Sequence, residues 1–114
     1  MSDTTNWPWP DEMEGHIAAP RHHQLIFENE KVRVIRTWIP AGERTPVHTH
    51  RNPAVYMTIK AGDFIRMDAE GNVTFDTRTA PKSENPAAWM GPIPPHMVEN
   101  VGNDEILVIN FEVK

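Results

Sequence analysis

Gly42-Glu43-Arg44-Thr45-Pro46-Val47-His48-Thr49-His50 is the stretch from which both fold and function can be argued. Its last four residues predict a short β-strand, and residues two apart in a strand point to the same face. The imidazoles of His48 and His50 can therefore converge on one point, as metal–nitrogen bonds of about 2.0–2.2 Å require. A His-x-His pair alone is weak evidence, because two packing or surface histidines in a chain with six give the same pattern.

Short apolar runs separated by turn residues surround this pair on both sides. Eleven prolines, six glycines and few runs of helix formers disfavour a helical bundle. Alternating patterns predict a sandwich or barrel of about eight to ten short strands. These predicted strands are residues 24–28, 31–39, 47–50, 54–60, 64–67, 73–75, 96–101 and 105–113, with a further strand starting at 89.

The last predicted strand is apolar on both faces at Ile106-Leu107-Val108-Ile109. A strand with one face in water would alternate polar and apolar residues. We therefore expect its outer face to be covered, either by the N-terminal tail or by a second copy of the chain in a homodimer.

Composition excludes several classes of function. The 114 residues suffice for one domain, and the absence of cysteine removes disulfides, thiolate metal ligands and a cysteine nucleophile. The net charge of −5 and the scattered basic residues disfavour nucleic acid as a partner. No apolar stretch approaches a membrane span, and the first residues lack the pattern of a signal peptide. A cytoplasmic protein without a membrane partner is the expectation.

Two parts are predicted, an irregular N-terminal segment over residues 1–23 and a β-barrel domain over residues 24–114. Trp7-Pro8-Trp9-Pro10 cannot lie inside a helix, because each proline removes a donor and restricts its predecessor. We expect this segment to pack on the barrel or on a partner subunit. Its histidines are interpreted as surface residues rather than as a second metal site; they are His16, His22 and His23.

Two motifs together resemble those of the cupin superfamily. The family's first motif is a glycine, five residues, His-x-His, a glutamate three or four residues later and a glycine six residues beyond it. The matching residues here are Gly42, His48, His50 and Gly62. The second motif ends in a histidine followed, four positions on, by an asparagine, and His96 and Asn100 match it. The resemblance extends over residues 31–113.

This chain departs from the family pattern at two places. Val55 occupies the position of the family's glutamate ligand, and valine cannot bind a metal. The second motif lacks its opening glycine and its Pro-x-Gly turn. The residues at those positions are Asn85, Gly91 and Ile93.

The resemblance implies an all-β, single-domain cupin-type β-barrel, also called a double-stranded β-helix or jelly roll. It also implies one divalent metal ion per chain, bound by His48, His50 and His96. Three neutral ligands leave about one to three coordination positions open for water or substrate. Similar three-histidine cupins are dioxygenases of diketones, thiols and gentisate-like rings, so Fe(II) is favoured. Zn, Mn, Ni or Cu remain possible, as does a substitute carboxylate such as that of Glu43.

Parity along the strands predicts the residues around the metal. If Val55 takes the ligand position, then Met57 and Ile59 also face inward, while Tyr56 and Thr58 face outward. Val98 and Asn100 lie on the inner face of the His96 strand, although Asn100 is expected to tie the barrel together by hydrogen bonds. The predicted substrate pocket thus comprises Val55, Met57, Ile59, Val98 and Asn100. Arg66 lies on the same strand face as Phe64, and it either pairs with an anionic substrate or is exposed.

Three functions remain open at this stage. The favoured one is a mononuclear non-haem Fe(II) dioxygenase-like enzyme acting on a small organic substrate, because open metal positions permit that chemistry. The first alternative is a non-catalytic or sensory small-molecule-binding protein, since the fold alone does not fix function. The second is a metal-dependent isomerase, epimerase or lyase, which would need a base that the sequence does not reveal.

Overall fold

Nine antiparallel strands dominate the computed structural model, which describes residues 6–114. Residues 1–5 lie outside the described part. They belong to the predicted N-terminal segment and include the residues whose pattern disfavours a signal peptide. A 3₁₀ turn, Asp11–Met13, and helix α1, Gly15–Ala18, come first. The strands are β1 His23–Glu28, β2 Val32–Ile39, β3 His48–His50, β4 Ala54–Lys60, β5 Phe64–Asp68, β6 Val73–Asp76, β7 Ala87–Met90, β8 Ile93–Asn100 and β9 Ile106–Val113.

The strands form two sheets that enclose a cavity between them. One sheet has five strands in the order β1-β2-β9-β4-β7, and the other has four in the order β3-β8-β5-β6. The predicted all-β barrel is confirmed. Strand β8 begins at Ile93 and runs through Pro94 and Pro95, where the sequence predicted an interruption. It tolerates them because β3 pairs with β8 only at two register positions, His48 with His96 and His50 with Ile93.

Alternation along the central strands decides which side chains face the cavity. In β2 the odd-numbered residues Ile35, Thr37 and Ile39 are buried. In the neighbouring strand β9 the even-numbered residues Asn110 and Glu112 are buried. The inner face of the five-stranded sheet therefore carries polar as well as apolar side chains.

The outer face of the same sheet carries an apolar row, one residue from each strand. Phe27 pairs with Val34, Val34 with Phe111, Phe111 with Val55, and Val55 with Trp89. We call these five residues the outer row. Three of them are strongly exposed in the described chain: Phe27 is 51%, Phe111 42% and Trp89 60% exposed.

The N-terminal segment packs against the end of the barrel near β3. Glu14 is buried; it accepts hydrogen bonds from the Thr49 hydroxyl at 2.6 Å and from the backbone N–H of Arg51 at 3.1 Å. Trp7 and Trp9 contact each other edge to face, with ring centroids 4.8 Å apart. Among the described residues, no helix is long and apolar enough to cross a bilayer.

Candidate metal centre

Four histidine rings lie together at the end of the cavity. His48 and His50 come from β3, His96 from β8 and His23 from the first position of β1. The ring centroid of His48 lies 4.3 Å from that of His96, 4.4 Å from that of His23 and 4.9 Å from that of His50. One possible ligand atom from each of His23, His48 and His50 lies within 4.8 Å of the others. We call these four residues the histidine cluster.

The close approach of His48 and His96 follows from strand pairing. The two residues are direct partners in the antiparallel β3–β8 ladder, so their side chains share one face. His50 points to the same side, and its ring centroid lies 5.1 Å from that of His96 and 5.4 Å from that of His23. Two stretches of polypeptide more than forty residues apart in sequence thus meet as the cupin-like motifs predicted.

Backbone carbonyls fix the orientation of three of the rings. The Nδ1 atoms of these rings lie within hydrogen-bond distance of a carbonyl oxygen, and a neutral imidazole bonded there donates its proton from Nδ1. The pairs are His23 with Ala19 at 3.0 Å, His48 with Pro46 at 2.8 Å and His96 with Pro94 at 2.8 Å. Each Nε2 is then a free acceptor, and that of His48 is buried without a hydrogen-bond partner among the described residues.

All four rings are neutral near neutral pH. Burial, reinforced by repulsion between rings, lowers the pKa of His23 and of His48 to about 3. Burial also lowers the pKa of His96 to about 4 and that of His50 well below its ordinary value. Neutral imidazole is the form that binds metals. A group of converging neutral rings with a buried, unpartnered Nε2 is therefore suited to a divalent transition-metal ion.

Glu43 does not reach the histidine cluster. Its carboxylate accepts hydrogen bonds from Arg21 at 2.6 and 2.9 Å and lies 2.9 Å from Nε2 of His22. These contacts, those of Arg21 first, lower the pKa of Glu43 to about 2. Among the described residues, no carboxylate joins the group of converging rings.

The histidine cluster opens into a cavity of about 100 Å³ between the sheets. Its remaining wall is apolar, with a few polar groups. The apolar residues are Ile39, Phe64, Ile93, Val98, Ile106 and Val108, and the polar ones are Thr37, Thr45, Tyr56, Arg66 and Asn110. Ligand pockets for drug-sized molecules measure ~300–1,000 Å³, so this one suits a ligand of only a few heavy atoms.

A larger cleft of about 380 Å³ lies behind Phe64, Ile106 and Val108. It contains no histidine among its described lining residues. Its two ionisable side chains, Asp63 and Lys82, pair with each other at 3.4 Å. The chemistry therefore belongs to the smaller cavity.

The predicted inward orientation of Val55, Met57 and Ile59 is wrong. Val55 and Met57 lie on the outer face of β4, and Ile59 is 59% exposed. Tyr56 faces the cavity instead, with its ring centroid 6.3 Å from that of His50. The irregular residues 51–53 separate β3 from β4, so alternation cannot be counted from His50 into β4.

The other two predicted pocket residues differ from each other in position. Val98 lines the cavity, as predicted. Asn100 is buried outside it; its Nδ2 donates to the carbonyls of Ile39 and Asp104, and its Oδ1 accepts from the N–H of Gly102. Its expected role in tying the barrel together by hydrogen bonds is confirmed.

His23 is the cluster member that sequence reasoning missed. The sequence places it in the irregular N-terminal segment, where a surface position is expected. Strand β1 begins at His23, one residue before the predicted strand, and this places its side chain opposite Thr37 on the inner face. Extending the alternation of residues 24–28 back by one residue would have placed His23 on the inner face of the sheet.

Gly15 brings helix α1 into contact with the histidine cluster. A Cβ at this position would lie 3.0 Å from Cε1 of His50 and 3.1 Å from Cδ2 of His23. The absence of a side chain therefore permits the helix to pack directly on two of the rings. The N-terminal segment is in this way part of the wall around the site.

Comparisons with known proteins identify the fold. No family model matches the chain, and no curated protein matches it. A cupin domain from Bordetella pertussis Tohama I superposes with a TM-score of 0.65 at 23% identity, covering 81% of this chain and 91% of the other.

Two further solved structures agree. An RmlC-like cupin family protein with a double-stranded β-helix fold from Methanocaldococcus jannaschii gives a TM-score of 0.58 at 15% identity, over 80% of this chain and 77% of the other. An uncharacterised protein with a double-stranded β-helix domain from Klebsiella pneumoniae gives 0.56 at 16%, over 99% and 83%. The chain has the cupin-type double-stranded β-helix fold.

Proposed function

We propose that this cupin-fold chain is a metal-dependent enzyme of the mononuclear non-haem Fe(II) dioxygenase type, acting on a small organic substrate. The observation that carries the proposal is the histidine cluster: four buried, neutral rings converge in the wall of a small cavity. At least three of them have Nε2 as the free acceptor. Such an arrangement is typical of a site that binds one divalent metal ion and leaves coordination positions open.

We assign His48, His50 and His96 as metal ligands, with His23 as the fourth. Four neutral nitrogens would leave about two positions of a six-coordinate ion open, and three would leave about three. Held by these residues, ferrous iron would supply the redox chemistry by which dioxygen reacts with an organic substrate. The affinity order of divalent metals favours Cu or Zn at nitrogen sites, so the iron assignment rests on the likeness to three-histidine dioxygenases.

The cavity wall favours oxygen chemistry over proton abstraction. An isomerase, epimerase or lyase needs a base of tuned pKa beside the substrate. No carboxylate lines the cavity among the described residues. Burial raises the pKa of Tyr56 well above its ordinary value, so its phenol stays protonated and can donate a hydrogen bond to a bound ligand.

The test combines metal analysis with oxygen uptake. Untagged protein is purified, and its metal content is measured by mass spectrometry; we expect about one ion per chain. The Fe(II)-loaded protein is then given a panel of diketones, thiols and diphenols in an oxygen electrode. A substrate of the enzyme raises oxygen consumption above that of free Fe(II) with the same compound.

Single histidine variants show which rings bind the ion. We expect His48→Ala, His50→Ala and His96→Ala to lose most of the metal, His23→Ala to bind it more weakly, and the control His16→Ala to retain it. Metal content unchanged in the double variant His48→Ala, His50→Ala would refute the site. A metal-loaded protein that binds organic ligands without oxygen uptake from any compound would instead identify a non-catalytic binding protein.

A further inference from the structure

Arg66 is a half-buried cation in the wall of the cavity that holds the histidine cluster. It lies in β5 between two ladder partners, Val98 of β8 and Phe75 of β6. Its side chain lines the cavity together with Phe64 and Tyr56. Burial lowers the pKa of Arg66 from its ordinary value. An arginine guanidinium in a protein nevertheless stays charged.

Arg66 has no acidic partner among residues 6–114. Its guanidinium contacts a methionine sulfur and an aromatic ring instead. Five of the seven arginines form ion pairs with carboxylates. The Nε of Arg66 is buried without a hydrogen-bond partner, and one Nη meets only the sulfur of Met90, at 3.8 Å. The guanidinium carbon lies 5.8 Å from the ring centroid of Phe75. A buried donor left unpaired is unfavourable, and more so when the group is charged.

The charge of the loaded cavity is unbalanced. A divalent ion on neutral histidines adds two positive charges to that of Arg66, and no acidic residue among the described lining residues offsets them. Buried charges in proteins are normally paired, because an uncompensated charge in a low-dielectric interior is strongly unfavourable. An anionic ligand would restore the balance and supply the acceptor that Nε lacks.

We infer that Arg66 is the specificity-determining residue that binds the carboxylate of a small organic acid, whose other end reaches the metal. This inference rests on the proposed function and narrows its substrate class to small carboxylates. The planar guanidinium matches a carboxylate by two parallel hydrogen bonds, which a lone metal ion cannot imitate. The volume of about 100 Å³ limits the acid to a few heavy atoms.

The test compares acids with their uncharged amides. Binding of glycolate, lactate and pyruvate, and of glycolamide, lactamide and pyruvamide, is measured by isothermal titration calorimetry on the full chain. Each titration is made with Zn(II)-loaded protein and with EDTA-treated protein. We expect loaded wild-type protein to bind at least one acid about tenfold or more tightly than its amide, because hydrogen bonds to a charged partner are stronger than those to a neutral one.

Three variants separate Arg66 from the metal as the source of that preference. Arg66→Met removes the charge and should abolish most of the preference, whereas Arg66→Lys should keep part of it. Arg36→Met, a control on the outer face of β2 that likewise lacks an ion pair among the described residues, should match wild type. Thermal melting checks that each variant is folded, and the wild-type comparison of acid with amide needs no variant.

The outcomes distinguish this inference from the proposed function. No preference for any of the three acids in wild type, or a full preference in folded Arg66→Met, would overturn the role of Arg66 while the metal site stands. A preference that depends on Arg66 in a chain that binds no metal would support the role of Arg66 and refute the proposed enzyme. Loss of the preference in Arg66→Met but not in Arg36→Met, with metal content unchanged, supports both.

Discussion

The inner and outer faces of the five-stranded sheet each depart from the usual distribution of side chains. The inner face carries His23, Thr37, Tyr56, Asn110 and Glu112, and nearly all of these groups are well removed from solvent. The outer face carries the apolar outer row, whose aromatic members are strongly exposed. Soluble domains normally bury apolar surface and expose polar groups.

These departures indicate which residues serve function rather than stability. Buried polar groups cost free energy unless they are paired, so an interior rich in them points to a binding site. An exposed apolar row that spans a whole sheet is typical of a surface that contacts another protein. Each of the four predictions below alters one face or the groups that border the site.

The largest loss of stability is expected when the buried ion pairs of Glu14 and Glu112 are broken. Arg33 contacts Glu14 at 2.9 Å and Glu112 at 2.8 Å, and all three side chains are nearly buried. Arg33→Met leaves two carboxylates without their cation and should lower the free energy of unfolding by about 3–5 kcal/mol. Urea denaturation measures this loss.

The control for that change is an exposed ion pair on the other sheet. Arg44→Met removes the pair with Glu99, in which the two side chains are 54% and 29% exposed. It should lower the free energy of unfolding by less than about 1 kcal/mol. Equal losses in Arg33→Met and Arg44→Met would show that the buried network stabilises nothing beyond a surface pair.

Acid should destabilise the metal-free protein. Each ring of the histidine cluster has a pKa below its unfolded value of 6.5, so below pH 6.5 the unfolded chain binds protons that the folded chain does not. Stability is full above pH 6.5 and falls as the pH drops towards 4. Thermal melting of EDTA-treated protein measures the slope, and stability that is constant across this window would contradict the burial of the rings.

A smaller effect is expected at Gly15, where helix α1 packs on the cluster. Gly15→Ala adds a Cβ that His50 and His23 must avoid by a few tenths of an ångström. Disturbing the orientation of ligands in this way should weaken metal binding by about tenfold. Competition with a chelator measures the affinity. Gly91→Ala, where a Cβ meets nothing within 4 Å, is the matched control, and an equal effect there would refute the role of the helix.

A charged substitution in the outer row should have the smallest effect on the stability of the folded chain. It should nevertheless dissociate the dimer completely. We keep the prediction of a homodimer and place its interface on this row, which spans five strands, about 19 Å, without a charged side chain. Phe111→Glu should be a monomer in light scattering. Its metal content should equal that of the wild type. Val73→Glu, at an exposed apolar position of β6, should stay dimeric. A monomeric wild type at micromolar concentration would contradict the interface.

The sequence predicted the strands well, because alternation and turn residues are local properties. It also paired His48 and His50 with His96, since the spacing of two motifs carries that information across the chain.

Other parts of the site depend on non-local geometry. Residues 51–53 break the alternation between β3 and β4, so Tyr56 rather than Val55 faces the cavity. The N-terminal segment packs on the cluster at Gly15 and on Thr49 of β3 at Glu14, and no periodicity in the sequence predicts these contacts. His23 joins the rings only because β1 pairs with β2 in one particular register.

In the proposed site, imidazoles from β1, β3 and β8 bind one ion without the help of a carboxylate. Anomalous diffraction from crystals of the metal-loaded protein tests it most directly. We expect a single ion at about 2.0–2.2 Å from ring nitrogens of His48, His50 and His96, with His23 as the fourth ligand. An ion bound elsewhere, or held by fewer than three of these rings, would contradict it.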